Sequence, residues 1–333
     1  GRADLVAFGR QSLADPAMPK KALEERLEDM TPCIACLQGC VANMYAGNPI
    51  CCLTNPFLGH EAEPIAKTEN PKKVMVIGGG VAGLCAAFIA KEKGHEVTLY
   101  EAGDVLGGNM RLAAYPPGKG DITNMIRSYI HRCQKDGVKI VMNCEVTPEL
   151  IKEEKPDSVI IATGSKTLIL PIEGIDNPAI IHGSDLLDGK RPAGKKVLVV
   201  GGGMVGCETA AFLGEQEHDV TVIEFRDTVG ADVIHEHRVY LMKDFEDYGI
   251  KEITGAKVCK FYEDGVEYET ADGVRHETRG YDSVILSMGF RNYNPLEEKI
   301  KDLVPETHVI GDAIRARRAL DATKEAYEVA SRL

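Results

Sequence analysis

Four cysteines near the start of the chain have the spacing of ligands to a metal centre. Cys33, Cys36, Cys40 and Cys52 follow the pattern C-x2-C-x3-C-x11-C, so three thiols from one turn and a fourth from the next segment can surround one centre. Iron–sulfur clusters are held by four thiolates, whereas structural zinc prefers paired C-x2–4-C motifs. The pattern favours a [4Fe–4S] cluster over zinc or unligated buried thiols. It also favours Cys52 over the adjacent Cys51 as the fourth ligand.

A glycine-rich stretch further along has the pattern of a dinucleotide-binding site. Val74–Glu101 reads VMVIGGGVAGLCAAFIAKEKGHEVTLYE, which predicts a strand, a tight turn, an Ala-rich helix and a second strand. Gly78, Gly80 and Gly83 permit, in turn, the tight turn, the approach of a pyrophosphate and close helix–strand packing. The helix N-terminus attracts the anion, and Glu101 is placed to bind the ribose hydroxyls. The alternative is a structural Gly-rich turn.

The same stretch recurs 123 positions later in the sequence. Val197–Glu224 reads VLVVGGGMVGCETAAFLGEQEHDVTVIE. Gly201, Gly203 and Gly206 match the three glycines of the first unit, and Glu224 again ends the second strand. One such unit binds one dinucleotide, so two units suggest that electrons pass from one dinucleotide to another. This arrangement is typical of a flavin oxidoreductase with FAD in the first site and NADH or NADPH in the second.

The end of the second unit bears on the choice of nicotinamide cofactor. Glu224 can accept hydrogen bonds from both ribose hydroxyls and repels a 2′-phosphate. Arg226 lies two residues further on and can offset that repulsion. The sequence therefore predicts a modest preference for NADH over NADPH.

Three further places have residues that can touch a flavin. Gly108 and Asn109 lie in a loop that can run beside it. Thr163 lies in VIIATG, a buried strand that can close the first domain and pass the chain to the second. Gly311 and Asp312 lie in VIGDA, where the acid can accept a hydrogen bond from the ribitol chain and the next helix N-terminus can stabilise negative charge. The alternatives are an ordinary turn, a plain strand end and a cap residue.

The remaining cysteines argue against a disulfide relay. No cysteine lies between Cys85 and Cys133, where reductases of the lipoamide dehydrogenase type carry a redox pair. The second unit also lacks the C-x-x-C of thioredoxin reductases.

Length and charge limit the class of protein. A chain of 333 residues suits two domains. The net charge of −12 argues against a nucleic-acid partner, and no apolar run approaches the roughly 18 residues of a membrane span. Ten cysteines without a signal-peptide pattern indicate metal or redox roles in a reducing cytoplasm. The sequence leaves the oligomeric state open.

The pattern of elements predicts an α/β fold with two Rossmann-like dinucleotide-binding domains. We assign residues 71–168 and 290–333 to an FAD-binding domain and residues 169–289 to an NAD(P)H-binding domain. Residues 31–70 form the cysteine-rich loop and a linker. Further elements are predicted as strands near Gly255–Phe261, Val266–Thr270 and Val284–Gly289, and as a helix from about Ala319 to Arg332.

The first 30 residues show a pattern of their own. A short apolar strand at Leu5–Phe8 precedes Gly9 and Arg10, and a charged amphipathic helix is predicted near Lys20–Glu28. The chain starts at Gly1 rather than at Met, and a strand without neighbours is a poor way to begin a domain. We therefore expect an interior cut through a longer polypeptide.

Together these motifs resemble one known family. The Gly-Arg before a helix, CIACLQGC, CCLTNP, the two Rossmann units and VIGDA look like the C-terminal part of the iron–sulfur flavoprotein branch of the old yellow enzyme family. That branch includes 2,4-dienoyl-CoA reductase, 2-enoate reductase, bile-acid-inducible oxidoreductases and trimethylamine dehydrogenase. The resemblance covers essentially the whole chain.

The resemblance implies a further domain and further cofactors. It implies an N-terminal (β/α)8 barrel that binds FMN and a small-molecule substrate. Residues 1–30 would be the end of that barrel, with Gly9 and Arg10 in its last phosphate-binding loop. Members similar to trimethylamine dehydrogenase hold ADP in the first site, and Glu101 fits either FAD or ADP.

The expected function is electron input to a reductase. NAD(P)H would reduce FAD, the cluster would carry single electrons, and FMN in the barrel would reduce an activated C=C bond of an enoate or enoyl-CoA. We expect this chain to oxidise NADH with an artificial acceptor but to reduce no enoate by itself, and no residue is nominated as catalytic. The alternatives are an amine dehydrogenase-like module with structural ADP, which passes electrons to an electron-transfer protein, and a nucleotide-binding module without catalysis.

Overall fold

The computed structural model describes residues 2–333, and Gly1 lies outside them. The chain divides into two compact units. The first unit contains residues up to 111, 121–165 and 292–333, and the second contains residues 112–120 and 166–291. The domain boundaries given above stay predictions.

Strands and helices alternate along most of the chain, as in α/β proteins. The strands are β1 (Lys73–Ile77), β2 (Glu96–Tyr100), β3 (Lys139–Val141), β4 (Ser158–Ile161), β5 (Ser165–Thr167), β6 (Ile181–His182), β7 (Lys196–Val200), β8 (Asp219–Ile223), β9 (Lys251–Ile253), β10 (Lys257–Tyr262), β11 (Gly265–Glu269), β12 (Arg275–Thr278), β13 (Ser283–Leu286), β14 (Phe290–Asn292) and β15 (Glu306–Val309). The helices are α1 (Arg10–Ala14), α2 (Met18–Leu23), α3 (Val41–Tyr45), α4 (Val81–Glu92), α5 (Asn109–Leu112), α6 (Asp121–Lys135), α7 (Pro148–Glu154), α8 (Gly183–Leu187), α9 (Met204–Glu215), α10 (His235–Asp247), α11 (Glu297–Ile300) and α12 (Ala319–Ala330).

The first unit is built on a five-stranded sheet in the order β15-β4-β1-β2-β3. All neighbouring strands in it are parallel, and parallel sheets are normally covered on both faces. Helix α4 packs against β1 and β2 and also against α6 and α12. It is buried from Val81 to Ala90, which explains why small apolar residues dominate its sequence.

The second unit repeats this arrangement and adds a small antiparallel sheet. Its five parallel strands have the order β6-β13-β7-β8-β9. Helix α9 packs against β7 and β8. Strands β10, β11 and β12 form an antiparallel meander, and β5 pairs with β14 in a two-stranded sheet.

The strand before each glycine-rich loop lies where the strand order reverses. β1 pairs with β2 on one side and with β4 on the other. β7 pairs in the same way with β8 and β13. Open α/β sheets bind ligands in the crevice at the carboxyl ends of the strands at such a point. Both G-x-G-x-x-G loops leave their sheets there, so the fold supports the two predicted nucleotide sites.

Of the elements predicted in the first 30 residues, the strand is wrong and the helix has different bounds. None of the described residues before Lys73 forms a strand, and Leu5 of the predicted strand is 91% exposed. An extended segment without a neighbouring strand has no partner for its backbone groups. The helix predicted near Lys20–Glu28 ends at Leu23, because Glu25 adopts a left-handed φ of 56°.

Other boundaries differ by a few residues. The strand predicted at Val159–Gly164 ends at Ile161, and Gly164 then turns the chain with φ of 73°. The expected Gly-rich loop after β2 contains the short helix α5, which begins at Asn109. Among the described residues, no helix is both long and apolar enough to cross a membrane.

Candidate functional site

The first glycine-rich loop combines close contacts with an open face. Gly78 has φ of 107°, and a methyl group there would lie 2.4 Å from the carbonyl oxygen of Ala162. A methyl group on Gly83 would lie 1.9 Å from the carbonyl oxygen of Gly78. On Gly80 it would meet no atom of the described residues within 4 Å beyond its chain neighbours. The fold therefore excludes side chains at two glycines and leaves space for a ligand at the third.

Glu101 is held by the backbone of the same loop. Its Oε2 accepts a hydrogen bond from the N–H of Gly79 at 2.6 Å, and its Oε1 accepts one from Gly103 at 2.7 Å. Each carboxylate oxygen has a second lone pair for a further donor. The carboxylate is thus oriented beside the loop, as binding of a ribose requires.

The loop after β2 lies directly on the glycine-rich loop. The N–H of Gly107 donates to the carbonyl oxygen of Gly79 at 2.9 Å. Gly108 has φ of 54°, and a methyl group on it would lie 3.2 Å from the Cα of Gly80. The loop therefore lies beside the first glycine-rich loop, and its contact with a flavin stays a prediction.

A chain of hydrogen bonds joins the other predicted flavin-contacting residues. The side-chain amide of Asn109 donates to Ser165 Oγ at 3.2 Å, and Ser165 Oγ donates to Asp312 Oδ2 at 2.9 Å. Asp312 Oδ1 accepts from the backbone N–H of Arg317 at 3.0 Å. Sequence reasoning missed Ser165, since a serine two residues after a strand-end threonine carries no signal in a single sequence.

Gly311 and Thr163 have mainly structural contacts. Gly311 has φ of 62°, and a methyl group on it would lie 3.1 Å from the Cβ of Ala82 and 3.2 Å from the Cβ of Ala322. Thr163 Oγ1 donates to the carbonyl oxygen of Tyr293 at 2.6 Å. These two residues thus hold backbone segments together, and contact with a flavin stays a prediction for both.

The second glycine-rich loop repeats the geometry of the first. Gly201 has φ of 105°, and a methyl group on it would lie 2.4 Å from the carbonyl oxygen of Ser287. On Gly206 it would lie 1.8 Å from the carbonyl oxygen of Gly201. Glu224 accepts a hydrogen bond through Oε2 from the N–H of Gly202 at 2.6 Å. Its Oε1 accepts from the N–H of Arg226 at 2.9 Å, and the Arg226 side chain is exposed.

Two acids of the second unit were not found from the sequence. Asp232 accepts a hydrogen bond through Oδ1 from the N–H of Met204, the first residue of α9, at 2.8 Å. Glu208, also on α9, is 7% exposed and pairs with Lys119. Burial raises the pKa of Glu208, and the charge of Lys119 opposes that rise. The 123-residue repeat, continued past Glu224, is the signal that could have found Asp232.

The four predicted cluster ligands lie around one cavity. It is lined by Cys33, Cys36, Cys40 and Cys52, together with Cys51 and Arg10. Burial raises the pKa of the Cys36 thiol to about 11, and the charges of Cys52, Cys40 and Cys33 add to the rise. Burial also raises the pKa of Cys52, with a contribution from Cys33. Charges shift a pKa in this way only at short range, so the structure brings these four thiols together.

Backbone strain shapes the cysteine loop. Ala35 and Leu37 have φ of 52° and 58°, in the left-handed region that residues other than glycine rarely adopt. They lie on either side of Cys36 and turn the chain sharply there. Such strained positions persist where the surrounding structure determines them, and they cluster at functional sites.

Contacts from other segments hold the loop in place. Gln11 on α1 donates through Nε2 to the carbonyl oxygen of Thr31 at 2.9 Å, and its Oε1 accepts from the N–H of Cys33 at 2.8 Å. Tyr129 on α6 donates through its hydroxyl to the carbonyl oxygen of Leu53 at 3.0 Å. Gly9 directly precedes α1, and the phosphate-binding role of Gly9 and Arg10 stays a prediction.

The contacts of Cys51 differ from those of the adjacent Cys52. Its N–H donates to the carbonyl oxygen of Gly39 at 2.9 Å. Its Sγ accepts a hydrogen bond from the side-chain amide of Asn43 at 3.4 Å. A methyl group on Gly39 would lie 2.4 Å from the carbonyl oxygen of Cys51. These contacts are structural, and they join the two segments that carry the cysteines.

The spacing of the side chains also bears on the kind of centre. Within residues 2–333, no group of three or more His, Cys, Asp and Glu side chains has the arrangement that holds one metal ion. A tetrahedral zinc ion bonds sulfur at about 2.3 Å, which brings the four sulfurs to within about 4 Å of each other. A four-iron cluster is wider, because each thiolate bonds a different iron. The four cysteines share one cavity, and the kind of centre they would hold stays a prediction.

A comparison with protein-family models matches most of the chain. Residues 72–310 match the family described as pyridine nucleotide-disulphide oxidoreductase. The matched range begins just before β1 and contains both glycine-rich loops. The chain belongs to the pyridine nucleotide-disulphide oxidoreductase family.

The matches to relatives and to a solved structure cover almost the whole chain, beyond residues 72–310. The chain is 33% identical to a cinnamate reductase of Clostridium sporogenes over 100% of its own length and 50% of the relative. It is 32% identical to a metal reductase of Desulforamulus reducens over 99% of its own length and 54% of the relative. A solved 2-naphthoyl-CoA reductase in complex with 2-naphthoyl-CoA is 33% identical, with a TM-score of 0.95 over 100% of this chain and 51% of that one.

The matches bear on the predictions from the sequence. The chain spans about half the length of the curated relatives it matches. The resemblance to the iron–sulfur flavoprotein reductases and the two-Rossmann fold are confirmed. The pyridine nucleotide-disulphide oxidoreductase family supports binding of FAD and NAD(P)H, so the prediction of an NAD(P)H-dependent flavin oxidoreductase is confirmed at the level of the family.

All ten cysteines are free thiols in the structure.

Proposed function

We propose that this chain is the electron-input half of a longer reductase. It would take electrons from NADH or NADPH at the second glycine-rich loop and deliver them through FAD at the first loop to a [4Fe–4S] cluster in the cysteine loop. The observation that carries the proposal is the presence of two G-x-G-x-x-G loops, each with an oriented strand-end glutamate, and a four-cysteine cavity in one chain. When bound, NAD(P)H supplies a hydride, FAD exchanges pairs of electrons for single ones, and the cluster carries single electrons.

The residues of the first unit would hold FAD by backbone and carboxylate contacts. The N-terminus of α4 offers unpaired N–H groups to a pyrophosphate, and the open face of Gly80 lets it approach. Glu101 is already oriented for ribose hydroxyls. Asp312, oriented by Ser165 and by the N–H of Arg317, would accept a hydrogen bond from the ribitol chain.

The cysteine loop would hold the cluster through Cys33, Cys36, Cys40 and Cys52. These thiols already share one cavity, and the left-handed backbone of Ala35 and Leu37 forms the turn that carries Cys36. Thiolate ligands must lose their protons, so formation of the cluster would release protons from thiols whose pKa burial raises.

The substrate of the longer protein would be an activated C=C bond conjugated to a carbonyl or a thioester. The supporting observation is likeness to a cinnamate reductase and to a 2-naphthoyl-CoA reductase. Reduction of such a bond would take place on FMN in a barrel outside residues 1–333, as the family resemblance implies. A cytoplasmic location and a small-molecule partner are part of the same proposal.

The purified chain, with flavin and cluster bound, is expected to oxidise NADH with ferricyanide as acceptor. We expect NADH to be used more efficiently than NADPH, because Glu224 lies where a 2′-phosphate would be repelled. Arg226→Ala should widen the preference, since the exposed guanidinium would attract that phosphate. The measurement is kcat/KM for both nucleotides with both proteins.

Two results would count against these expectations. A tenfold advantage of NADPH, equivalent to about 1.4 kcal/mol, would show that Arg226 outweighs Glu224. Absence of turnover with either nucleotide, in protein that retains flavin and cluster, would contradict the proposed function itself.

A further inference from the structure

The second glycine-rich loop already has a carboxylate at its anion-binding position. Asp232 Oδ1 accepts the N–H of Met204 at 2.8 Å, and Met204 is the first residue of α9. A methyl group on Gly203 would lie 3.4 Å from Asp232 Oδ2 and 3.6 Å from Oδ1. Both carboxylate oxygens thus face the glycine that lets a pyrophosphate approach. The N–H groups at a helix N-terminus are those that bind such an anion.

The first loop has a neutral residue at the equivalent position. The repeat length of 123 added to Asn109 gives 232, so Asn109 and Asp232 correspond. The structure supports this alignment, because Gly107 donates to Gly79 at 2.9 Å and Gly230 donates to Gly202 at 2.7 Å.

The two equivalent side chains have different contacts. The amide of Asn109 donates to Ser165, and the space beside Gly80 is open among the described residues. The Asp232 carboxylate instead lies beside Gly203 and accepts the first N–H of α9. The two loops have the same backbone hydrogen bonds and differ in charge where the pyrophosphate would lie.

This difference changes the electrostatics of nucleotide binding. A pyrophosphate must displace the Asp232 carboxylate from the Met204 N–H and then remain close to its negative charge. Like charges a few ångströms apart repel even near a protein surface. The same ligand in the first loop meets an uncharged amide.

We propose that Asp232 lowers the affinity of the second site so that its dinucleotide exchanges, whereas the neutral Asn109 lets the first site retain its own. This inference rests on the proposed function, which assigns the nicotinamide nucleotide to the second loop. An electron donor must leave after each hydride transfer, but a flavin that relays electrons must stay. The difference in charge beside the pyrophosphate position supplies that distinction.

The test is the affinity of the flavin-bound, oxidised protein for NAD⁺, measured by isothermal titration calorimetry so that no hydride moves. Asp232→Asn removes the charge, keeps the size of the side chain and retains an oxygen that can accept the Met204 N–H. It is expected to lower Kd about tenfold, or about 1.4 kcal/mol. The ratio of the two Kd values should shrink towards one at high ionic strength, since salt screens exposed charges. A merely structural role for Asp232 would not produce that salt dependence.

Two further variants make the outcome interpretable. Asp247→Asn removes the same charge from the same unit. The next residue, Tyr248, packs against Gly214, which lies about 15 Å along α9 from Met204 at its N-terminus. That exceeds the Debye length of about 8 Å in physiological salt, so Kd should not change. Gly203→Val should abolish binding, because the side chain would fill the pyrophosphate position.

Three combinations of results distinguish the inference from the proposed function. The inference is supported if Asp232→Asn binds NAD⁺ more tightly, Asp247→Asn binds it with unchanged Kd and Gly203→Val does not bind it. If Asp232→Asn binds NAD⁺ with unchanged or weaker affinity and Gly203→Val does not bind it, the inference is overturned but the proposed function is not. Normal binding by Gly203→Val places the nicotinamide nucleotide elsewhere and overturns both.

Discussion

A Cys52→Ser variant is expected to lose the iron–sulfur cluster. A serine hydroxyl is a poor replacement for a thiolate, and Cys52 is one of four cysteines that line one cavity. Its charge also adds to the raised pKa of Cys36. Protein prepared without oxygen should contain about four irons and four sulfides per chain before the substitution and close to none after it. Iron and acid-labile sulfide analysis measures both.

The adjacent cysteine provides a matched control. Cys51→Ser makes the same chemical change one residue away, at a thiol that accepts a hydrogen bond from Asn43. A serine oxygen can accept the same bond, so we expect full iron and sulfide content. Loss of the cluster from Cys51→Ser but not from Cys52→Ser would move the fourth ligand by one residue. Stoichiometric zinc without iron in the unsubstituted protein would refute the cluster altogether.

Gly80→Val is expected to abolish FAD binding without unfolding the first unit. Gly80 has φ of −73° and ψ of −179°, an extended conformation that valine adopts readily. A methyl group there would meet no described protein atom within 4 Å beyond its chain neighbours, so the valine side chain would extend into the space of the pyrophosphate. The measurement is FAD released by heat and quantified by chromatography, with circular dichroism to follow the fold.

Gly120→Val is the control for the substitution itself. Gly120 is exposed, and a methyl group on it would also meet no described atom within 4 Å beyond its neighbours. This variant should retain FAD at the level of the unsubstituted protein. Retention of FAD by Gly80→Val would show that the pyrophosphate does not approach the loop at this glycine. Recovery of ADP rather than FAD from the unsubstituted protein would favour an amine dehydrogenase-like module.

Most of the fold could be predicted because its signals are local and periodic. The buried strand, the G-x-G-x-x-G turn and the Ala-rich helix each restrict the backbone strongly, and the second strand predicted within Val74–Glu101 is β2, Glu96–Tyr100. The first 30 residues could not be predicted in this way. An apolar run such as Leu5–Phe8 indicates a strand only if a neighbouring strand exists, and the left-handed Glu25 that ends α2 has no sequence signal.

The candidate site was predictable where residue type alone determines the role. The glycines, the strand-end acids and the four cysteines belong to this class. Asp232 could have been found from the sequence repeat. Ser165 and Gln11 could not, because their roles depend on hydrogen bonds to Asp312 and Cys33, which are distant in sequence. Such partners become visible only when the folded chain brings them together.

Reduction of the bound flavin by NADH tests the central claim most directly. The protein, purified with its chromophore and kept free of oxygen, is mixed with a slight excess of NADH while its visible absorption is recorded. The account predicts that the yellow colour bleaches and that NADH is converted to NAD⁺ in proportion to the bound flavin. If NADH binds but the flavin absorption stays unchanged, the two nucleotide sites do not exchange electrons and the account is contradicted.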